Sequence, residues 1–216
     1  NLSSFMHYIL ENYATDPDIQ EIIDNTELYF IPCLNPDGYE YNRSTNPNGG
    51  GMWRKNRRNN GGGSYGVDLN RNYGYQWGYN NSGSSPTPSS DTYRGPSAFS
   101  EPETQMVRDF CLGRQFVTAL NDHAHGNYLI VPWGYINALA EATLYASIGD
   151  DLNTCNNYLV GNAYTTVNYA VNGTSDDWMY GEQTAKDKIY AITPEIGTSS
   201  DGFWPQPSRI ITLCND

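Results

Sequence analysis

Positive charge is what this chain has least of. It holds 12 Lys and Arg, only three of them lysine, against 24 Asp and Glu, for a net charge of -12. An acidic surface of this kind repels phosphate backbones, which excludes nucleic acid as a partner. Apolar runs are short, so nothing in the sequence spans or anchors to a bilayer. Histidine is nearly absent, with only His7, His123 and His125. The four cysteines, Cys33, Cys111, Cys155 and Cys214, lie far apart without a CxxC pair, which excludes a cysteine zinc site. Cys33 falls in a strand-like run and Cys111 at the end of a helix-like one, so both are expected as buried free thiols. Cys155 and Cys214 are left as a candidate disulfide, which the sequence alone does not establish.

What is abundant is Tyr, Asn, Gly and Ser, a composition that suits an extracellular protein. Asn42, Asn80 and Asn172 each begin an N-x-Ser/Thr glycosylation pattern. At 216 residues the chain is one domain, or a large part of one. Asn1 opens directly in an amphipathic helix with no signal peptide before it, and residues preceding Asn1 are expected in the natural protein.

Along the chain, apolar spacing predicts helices over 5–13 and 17–24 and a strand over 28–34 that ends in a turn at Asn35-Pro36-Asp37-Gly38. Residues 42–93 are rich in Gly, Asn and Ser and have little periodicity; a loop region of that length is functional or disordered. Ser100-Glu101-Pro102-Glu103 reads as a capping box, opening a helix that runs to about Gly113. Strands are predicted at 116–120, 128–131 and 189–193, with helical character over 138–158. Strands alternating with helices indicate an α/β fold with a mixed, mainly parallel sheet flanked by helices.

Five of the 12 basic residues gather within 20 positions, Arg54, Lys55, Arg57, Arg58 and Arg71. Such a run is commonly a solvated surface. The tight grouping Gly66-Val67-Asp68-Leu69-Asn70-Arg71-Asn72 favours a pocket for an anion instead, since guanidinium matches a carboxylate bidentately. His123 directly follows a strand, where α/β sheets place ligands and catalytic groups, although a lone His there is commonly structural. His123 and His125 also read as an HxH metal pair, of which only one need be a ligand. Glu195 ends another strand and suits a general base or a solvated exit residue. Tyr169 lies in a loop of small and polar residues, an ordinary surface loop or a mobile lid.

Asn35-Pro36-Asp37-Gly38-Tyr39, Met52-Trp53-Arg54-Lys55-Asn56-Arg57, Asp68-Leu69-Asn70-Arg71-Asn72-Tyr73, Tyr93-Arg94-Gly95, His123, Val131-Pro132-Trp133-Gly134-Tyr135, Ser175-Asp176-Asp177-Trp178 and Glu195 occur together in order. In that order and spacing the chain resembles the zinc metallocarboxypeptidases of the pancreatic carboxypeptidase A/B type, from Phe5 to about Ile211. The resemblance implies a secreted, monomeric exopeptidase that releases single residues from peptide or protein C-termini through zinc-activated water. It implies that His123 is one zinc ligand, that Glu195 is the catalytic proton carrier and that Arg54 steadies the oxyanion. It further implies that Asn70 and Arg71 grip the terminal carboxylate, that Tyr169 closes over it and that Asp176 forms the base of the side-chain pocket. An acid at that base favours C-terminal Lys or Arg; Asp177 beside it is a candidate structural carboxylate.

The chain departs from the family in two places. The HxxE motif that supplies the other two zinc ligands is absent, and its place is expected upstream of Asn1. The long helix after the catalytic glutamate is cut off at Asp216. The resemblance therefore implies an N- and C-terminally incomplete catalytic domain, residues 1–216, that by itself is inactive and leaves sheet edges exposed. The alternative is a noncatalytic module that binds peptide C-terminal carboxylates.

Overall fold

The computed structural model describes residues 2–215. In chain order the elements are helices α1 (Leu2–Asn12), α2 (Pro17–Asn25) and α3 (Pro36–Thr45), a small hairpin of β1 (Asn59–Gly61) and β2 (Ser64–Tyr65), helix α4 (Pro102–Leu112), strands β3 (Thr118–Leu120) and β4 (Tyr128–Ile130), helix α5 (Ala142–Leu152), strand β5 (Leu159–Gly161), helix α6 (Ser175–Gly181), strand β6 (Tyr190–Glu195) and helix α7 (Ile210–Asn215). Among the described residues no helix is long and apolar enough to cross a membrane.

The main sheet has the order β3-β6-β4-β5. β3 runs parallel to β6 and β4 parallel to β5, while β4 and β6 are antiparallel. The sheet is therefore mixed and mainly parallel, as the alternation of elements indicates. β6 is its central strand, with Ala191 through Pro194 buried. Because side chains alternate across a strand, β6 feeds two cores. Ile189 and Ala191 join Tyr73, Val107, Cys111, Trp178 and Met179 on one side. Ile192 joins Leu129, Val131, Tyr145, Tyr158 and Tyr180 on the other. Helix α6 packs on β6 and contributes to both cores, Trp178 and Met179 to the first and Tyr180 to the second.

Several expectations need correction. Residues 28–34 form no strand, because among the described residues no neighbouring strand offers hydrogen-bonding partners. Cys33 in that run is exposed, whereas Cys111 is buried as expected. Asn35-Pro36-Asp37-Gly38 starts a helix and not a turn. The Asn35 carboxamide caps Gly38 N–H at 3.0 Å, and Pro36 sits where a missing donor costs nothing. At α4 the N-cap is Glu101, without a side-chain cap bond. Ser100 instead donates to the Glu101 carboxylate at 2.6 Å, so no capping box forms. β3 is an edge strand and not a buried one, with Leu120 58% exposed. Helix α5 is shorter than the periodic run suggested, and β5 and α6 were not foreseen. Cys155 and Cys214 are both free thiols, so the candidate disulfide is absent. Asn42 and Asn172 are buried with their amides hydrogen-bonded to Trp53 O and Asn80, so neither can carry a glycan on this fold.

Because Ile192 is 2% exposed and stands in the middle of the second core, Ile192→Ala should cost about 2–5 kcal/mol in unfolding free energy. The same measurement by urea titration should show less than about 1 kcal/mol for Val117→Ala, since Val117 is 70% exposed. Equal losses at the two positions would contradict the placement of the core.

Candidate active site

The segments 52–58 and 66–72 lie side by side through Asn56. Its N–H donates to Val67 O at 3.0 Å and its side-chain oxygen accepts from Val67 N–H at 2.9 Å. This pairing sorts the five clustered cations. Lys55 turns away and donates to Pro88 O and Ser90 O at 3.1 and 2.9 Å. Arg57 is stacked among Tyr41, Trp53 and Tyr65, at 3.8, 4.5 and 4.8 Å from the ring centres. Arg58 pairs with the buried Glu101 carboxylate at 2.7 Å. Only Arg54 and Arg71 remain for an anion. The other three hold the loop together, so the expected anion cluster is two guanidiniums and not five cations.

Asp68 organises both. Its Oδ2 lies 2.9 Å from Arg54 Nη2 and 4.0 Å from Arg71 Nη1, and its Oδ1 accepts from Asn70 N–H at 3.1 Å. That last bond starts the 3-10 turn Leu69–Arg71, which puts Asn70 and Arg71 next to each other on the site. Arg71 is 3% exposed, and its Nη1 donates to Asn70 O at 2.7 Å. Among the described residues its Nε is a buried donor without a partner. Burial pulls the Arg71 pKa down while Asp68 pushes it back up. A buried guanidinium with a spare N–H is suited to an incoming carboxylate.

The amide of Asn70 is oriented by α6. Its Oδ1 accepts from Ser175 N–H at 3.0 Å, at the start of that helix, so the acceptor end is occupied and the NH2 end is left to donate. The chain before α6 is pressed onto the same region. Tyr73 N–H donates to Gly173 O at 2.9 Å, Asn172 N–H to Gly83 O at 3.2 Å and Val171 N–H to Gly134 O at 3.0 Å. Gly173 has φ +70°, and a Cβ there would stand 2.6 Å from Arg71 O, so only glycine permits this approach. Tyr169, at the other end of the segment, is 52% exposed.

Asp176 and Asp177 open α6 and are both buried. Burial raises the carboxyl pKa of each, and the charge on Asp176 lifts Asp177 further. They have different surroundings. Asp177 accepts two bonds from Gly134 N–H, at 3.0 and 3.1 Å, and is fully enclosed. Asp176 is held by Thr174 and backbone N–H groups and interacts with Arg71. Asp177 thus ties α6 to the 132–135 loop, whereas Asp176 has Arg71 as a charged neighbour.

His123 and Glu195 are brought together by the sheet. They form a parallel bridge beyond the paired strands, with His123 N–H donating to Pro194 O at 2.8 Å and Ile196 N–H to His123 O at 3.0 Å. Burial, then Arg54, pushes the His123 pKa down to about 4, leaving a neutral imidazole across the physiological range. That protonation state suits a metal ligand. Its neighbour His125 packs its ring on Phe203 at 4.7 Å. Among the described residues no three His, Cys, Asp or Glu side chains converge on a metal position. His123 therefore fits one position of a zinc site, and the described residues supply no set that completes it. Glu195 is pushed from 4.5 up to about 7 by burial, with Arg54 and Arg71 opposing. Asp68 and Ser175, which position the two guanidiniums and Asn70, were not assigned roles from sequence. The Asp-x-Asn spacing at 68–70 was the available signal for the first.

The family profile described as zinc carboxypeptidase matches residues 2–216. The zinc carboxypeptidase A 1 of Drosophila melanogaster is 35% identical over 204 residues, which cover 90% of this chain and 46% of that protein. Carboxypeptidase B of Astacus astacus is 33% identical over 221 residues, covering 96% of this chain and 70% of its own length. The crystal structure of thrombin-activatable fibrinolysis inhibitor superposes with a TM-score of 0.82 at 25% identity, over 97% of this chain and 53% of that one. Carboxypeptidase A from Helicoverpa armigera gives 0.69 at 31% identity, over 89% and 51%. The chain spans about half the length of the first curated relatives it matches, 46% and 48%.

The raised pKa of Glu195 makes a stability prediction for the metal-free chain. A carboxyl whose pKa is higher folded than unfolded contributes stability below 4.5 that is lost as pH rises through about 7. Glu195→Gln should therefore be the more stable protein at pH 8, by up to about 3 kcal/mol, and should match the wild type near pH 4.5. Parallel stability–pH curves for the two proteins would refute the burial-driven shift.

Proposed function

The chain belongs to the zinc carboxypeptidase family, and from that premise we propose that it forms the substrate-gripping half of an extracellular exopeptidase that removes single residues from peptide C-termini. The observation that carries the proposal is the buried Arg71 with its unpartnered Nε beside an Asn70 whose amide is held with its NH2 end free. A terminal carboxylate placed there gains charge-assisted bonds from both side chains, and no internal peptide bond offers such a group. Tyr169, which is exposed, closes over that carboxylate in this reading.

The scissile carbonyl then lies toward Arg54, His123 and Glu195. Arg54 is half-exposed and paired only with Asp68 on its site side, so it can turn to an oxygen on which negative charge develops. Glu195, with a carboxyl near neutrality in its proton affinity, is suited to take a proton from water and return it to the leaving amine. Zinc held by His123 together with further ligands would supply Lewis-acid chemistry at this position.

The buried Asp176 favours Lys or Arg as the residue removed, because its charge lacks a lysine or arginine of its own other than the shared Arg71. One observation favours a second reading, binding of peptide C-termini without cleavage. Arg71 and Asn70 lie together among the described residues, whereas no group of three metal-binding side chains does. Chelator separates the two, abolishing cleavage in the first reading and leaving binding intact in the second.

Arg71→Gln in the protein that carries this chain should lower kcat/KM for peptides about 10- to 150-fold, mainly through KM, as expected for loss of about 1.5–3 kcal/mol of charge-assisted hydrogen bonding. A C-terminally amidated peptide that is bound as well as the free acid would contradict the clamp. Asp176→Asn should reduce turnover of peptides ending in Lys about tenfold or more while sparing those ending in Leu. An unchanged Lys-to-Leu ratio would remove Asp176 from the specificity role.

A further inference from the structure

The Asp176 carboxyl is 5% exposed, and a carboxylate so deeply buried stays an anion only where donors replace the water it has lost. The backbone N–H groups of Asp176 and Asp177 supply two such donors, and the Arg71 guanidinium adds its charge. Arg71 is a shared cation. It lies 4.0 Å from Asp68 Oδ2, and in the clamp it also receives the terminal carboxylate of the peptide. Burial is the largest influence on Asp176, and the strongest opposition to it comes from a neutral group, the Thr174 hydroxyl.

Thr174 is set in place by the backbone around it. It is 2% exposed and is the N-cap of α6. Its Oγ1 accepts from Asp177 N–H at 3.4 Å, and its carbonyl accepts from Trp178 N–H at 3.2 Å. With the hydroxyl oxygen engaged as an acceptor, its one proton requires an acceptor inside the fold, and the Asp176 carboxylate provides it. The flanking residues are pinned as well. Gly173 O accepts from Tyr73 N–H at 2.9 Å, and Ser175 N–H donates to Asn70 Oδ1 at 3.0 Å. The β-branched Thr174 side chain therefore has little rotational freedom on a fixed backbone.

We propose that Thr174 is a positioning residue for substrate choice, its hydroxyl holding the Asp176 carboxylate as an anion so that peptides ending in Lys or Arg stay preferred at mildly acidic pH. This rests on the exopeptidase reading and on the assignment of Asp176 to the side-chain pocket. Thr174 touches no reacting atom and acts through Asp176. Burial already raises the Asp176 pKa, and loss of the hydroxyl donor raises it further. The preference for a cation then disappears at a higher pH than in the wild type and returns where the carboxyl ionises in both proteins. The other charged or titratable neighbours of Asp176 are Arg71 on the 69–71 turn, Asp177 beside it, Tyr145 on α5 and Glu195 on β6. Arg71 stays protonated. The Tyr145 phenol, pushed up by burial, stays neutral. Asp177, lifted by burial and by the Asp176 charge, takes the first proton that enters the pair, which leaves Asp176 the anion. Glu195 titrates near 7 but serves every peptide alike, so it cancels in a ratio of two substrates.

The test measures kcat/KM between about pH 5 and 9 for two peptides that differ only in ending in Lys or Leu, on the zinc-loaded natural polypeptide that carries this chain. Thr174→Gly removes the hydroxyl at an N-cap position that glycine tolerates, so capping is little disturbed. The pH at which the Lys preference is half lost should be about one unit higher in this variant, a Lys-to-Leu ratio up to about tenfold lower on the acid side, and the two profiles should converge near pH 9. Thr174→Ser, which keeps the hydroxyl, should restore the wild-type profile, and Thr174→Val, which keeps the shape, should not. Superposed profiles for Thr174→Gly and wild type overturn the proposal. A ratio lowered equally at every pH overturns it too, since that is the mark of a purely structural role. Asp176→Asn separates the proposal from the reading beneath it. If that variant keeps the wild-type ratio, the pocket assignment fails and Thr174 falls with it; if it loses the ratio while Thr174→Gly does not, only the role of Thr174 fails. If the wild type hydrolyses neither peptide, the ratio is taken from calorimetric Kd values. A pH-dependent Thr174 effect on binding then upholds the positioning role without the peptidase reading, and its absence overturns both.

Discussion

The candidate site depends on one electrostatic constraint, that the Arg71 guanidinium is held out of water next to the Asp68 carboxylate. A buried unpaired guanidinium would be severely destabilising, and Asp68 offsets this while also pairing with Arg54. The pairing is incomplete by design of the geometry. One carboxylate serves two cations, and among the described residues Arg71 Nε keeps a free donor. The residual positive potential is what an anionic chain terminus would meet. It also sets the neighbours: Arg54 and Arg71 restrain the rise of the Glu195 pKa, and Arg54 helps to keep His123 neutral.

This arrangement sits on backbone that has little regular structure, so its rigidity comes from elsewhere. Buried asparagines take the place of ladder hydrogen bonds. Asn56 joins the two arginine-bearing segments and reaches Glu101 at 2.8 Å. Asn72 donates to Arg94 O, Ser97 O and Ser100 Oγ at 2.9–3.0 Å and accepts from Thr104 at 2.7 Å. Asn172 joins the segment after Tyr169 to Asn80 and Ser84. Each carboxamide supplies both donors and an acceptor, which is what irregular buried backbone needs. The Asn- and Gly-rich composition of this region, which resembles that of a solvated loop, is the composition of a packed one.

The sheet contributes position. Its central strand, buried on both faces, carries Glu195 to its end, and a single bridge sets His123 beside it. Helix α6 connects sheet and loops, because its body packs in both cores while its first turn orients Asn70 and presents Asp176. Asn70, Asp176 and Glu195 are thereby tied to one helix and one strand.

Sequence alone determined the α/β class, most helices, the positions of β3, β4 and β6, and the family, since these rest on local periodicity and on motifs whose order survives without coordinates. It also brought out Arg54, Asn70, Arg71, His123, Tyr169, Asp176 and Glu195 as a set. Local pattern failed where partners decide the outcome. Residues 28–34 have strand-forming side chains but no neighbour to bond with. Asn35 to Gly38 has the residues of a turn and also those of a helix cap, and its contacts with Arg54 O and Lys55 O select the cap. The five basic residues look alike in a linear reading. Only the tertiary structure separates them, because a guanidinium stacked on three rings and one paired with a buried Glu are chemically spent, whereas one beside a shared Asp is still able to bind. Asp176 and Asp177 are told apart the same way, by Gly134 N–H, which lies 43 residues away in the chain and bonds the second.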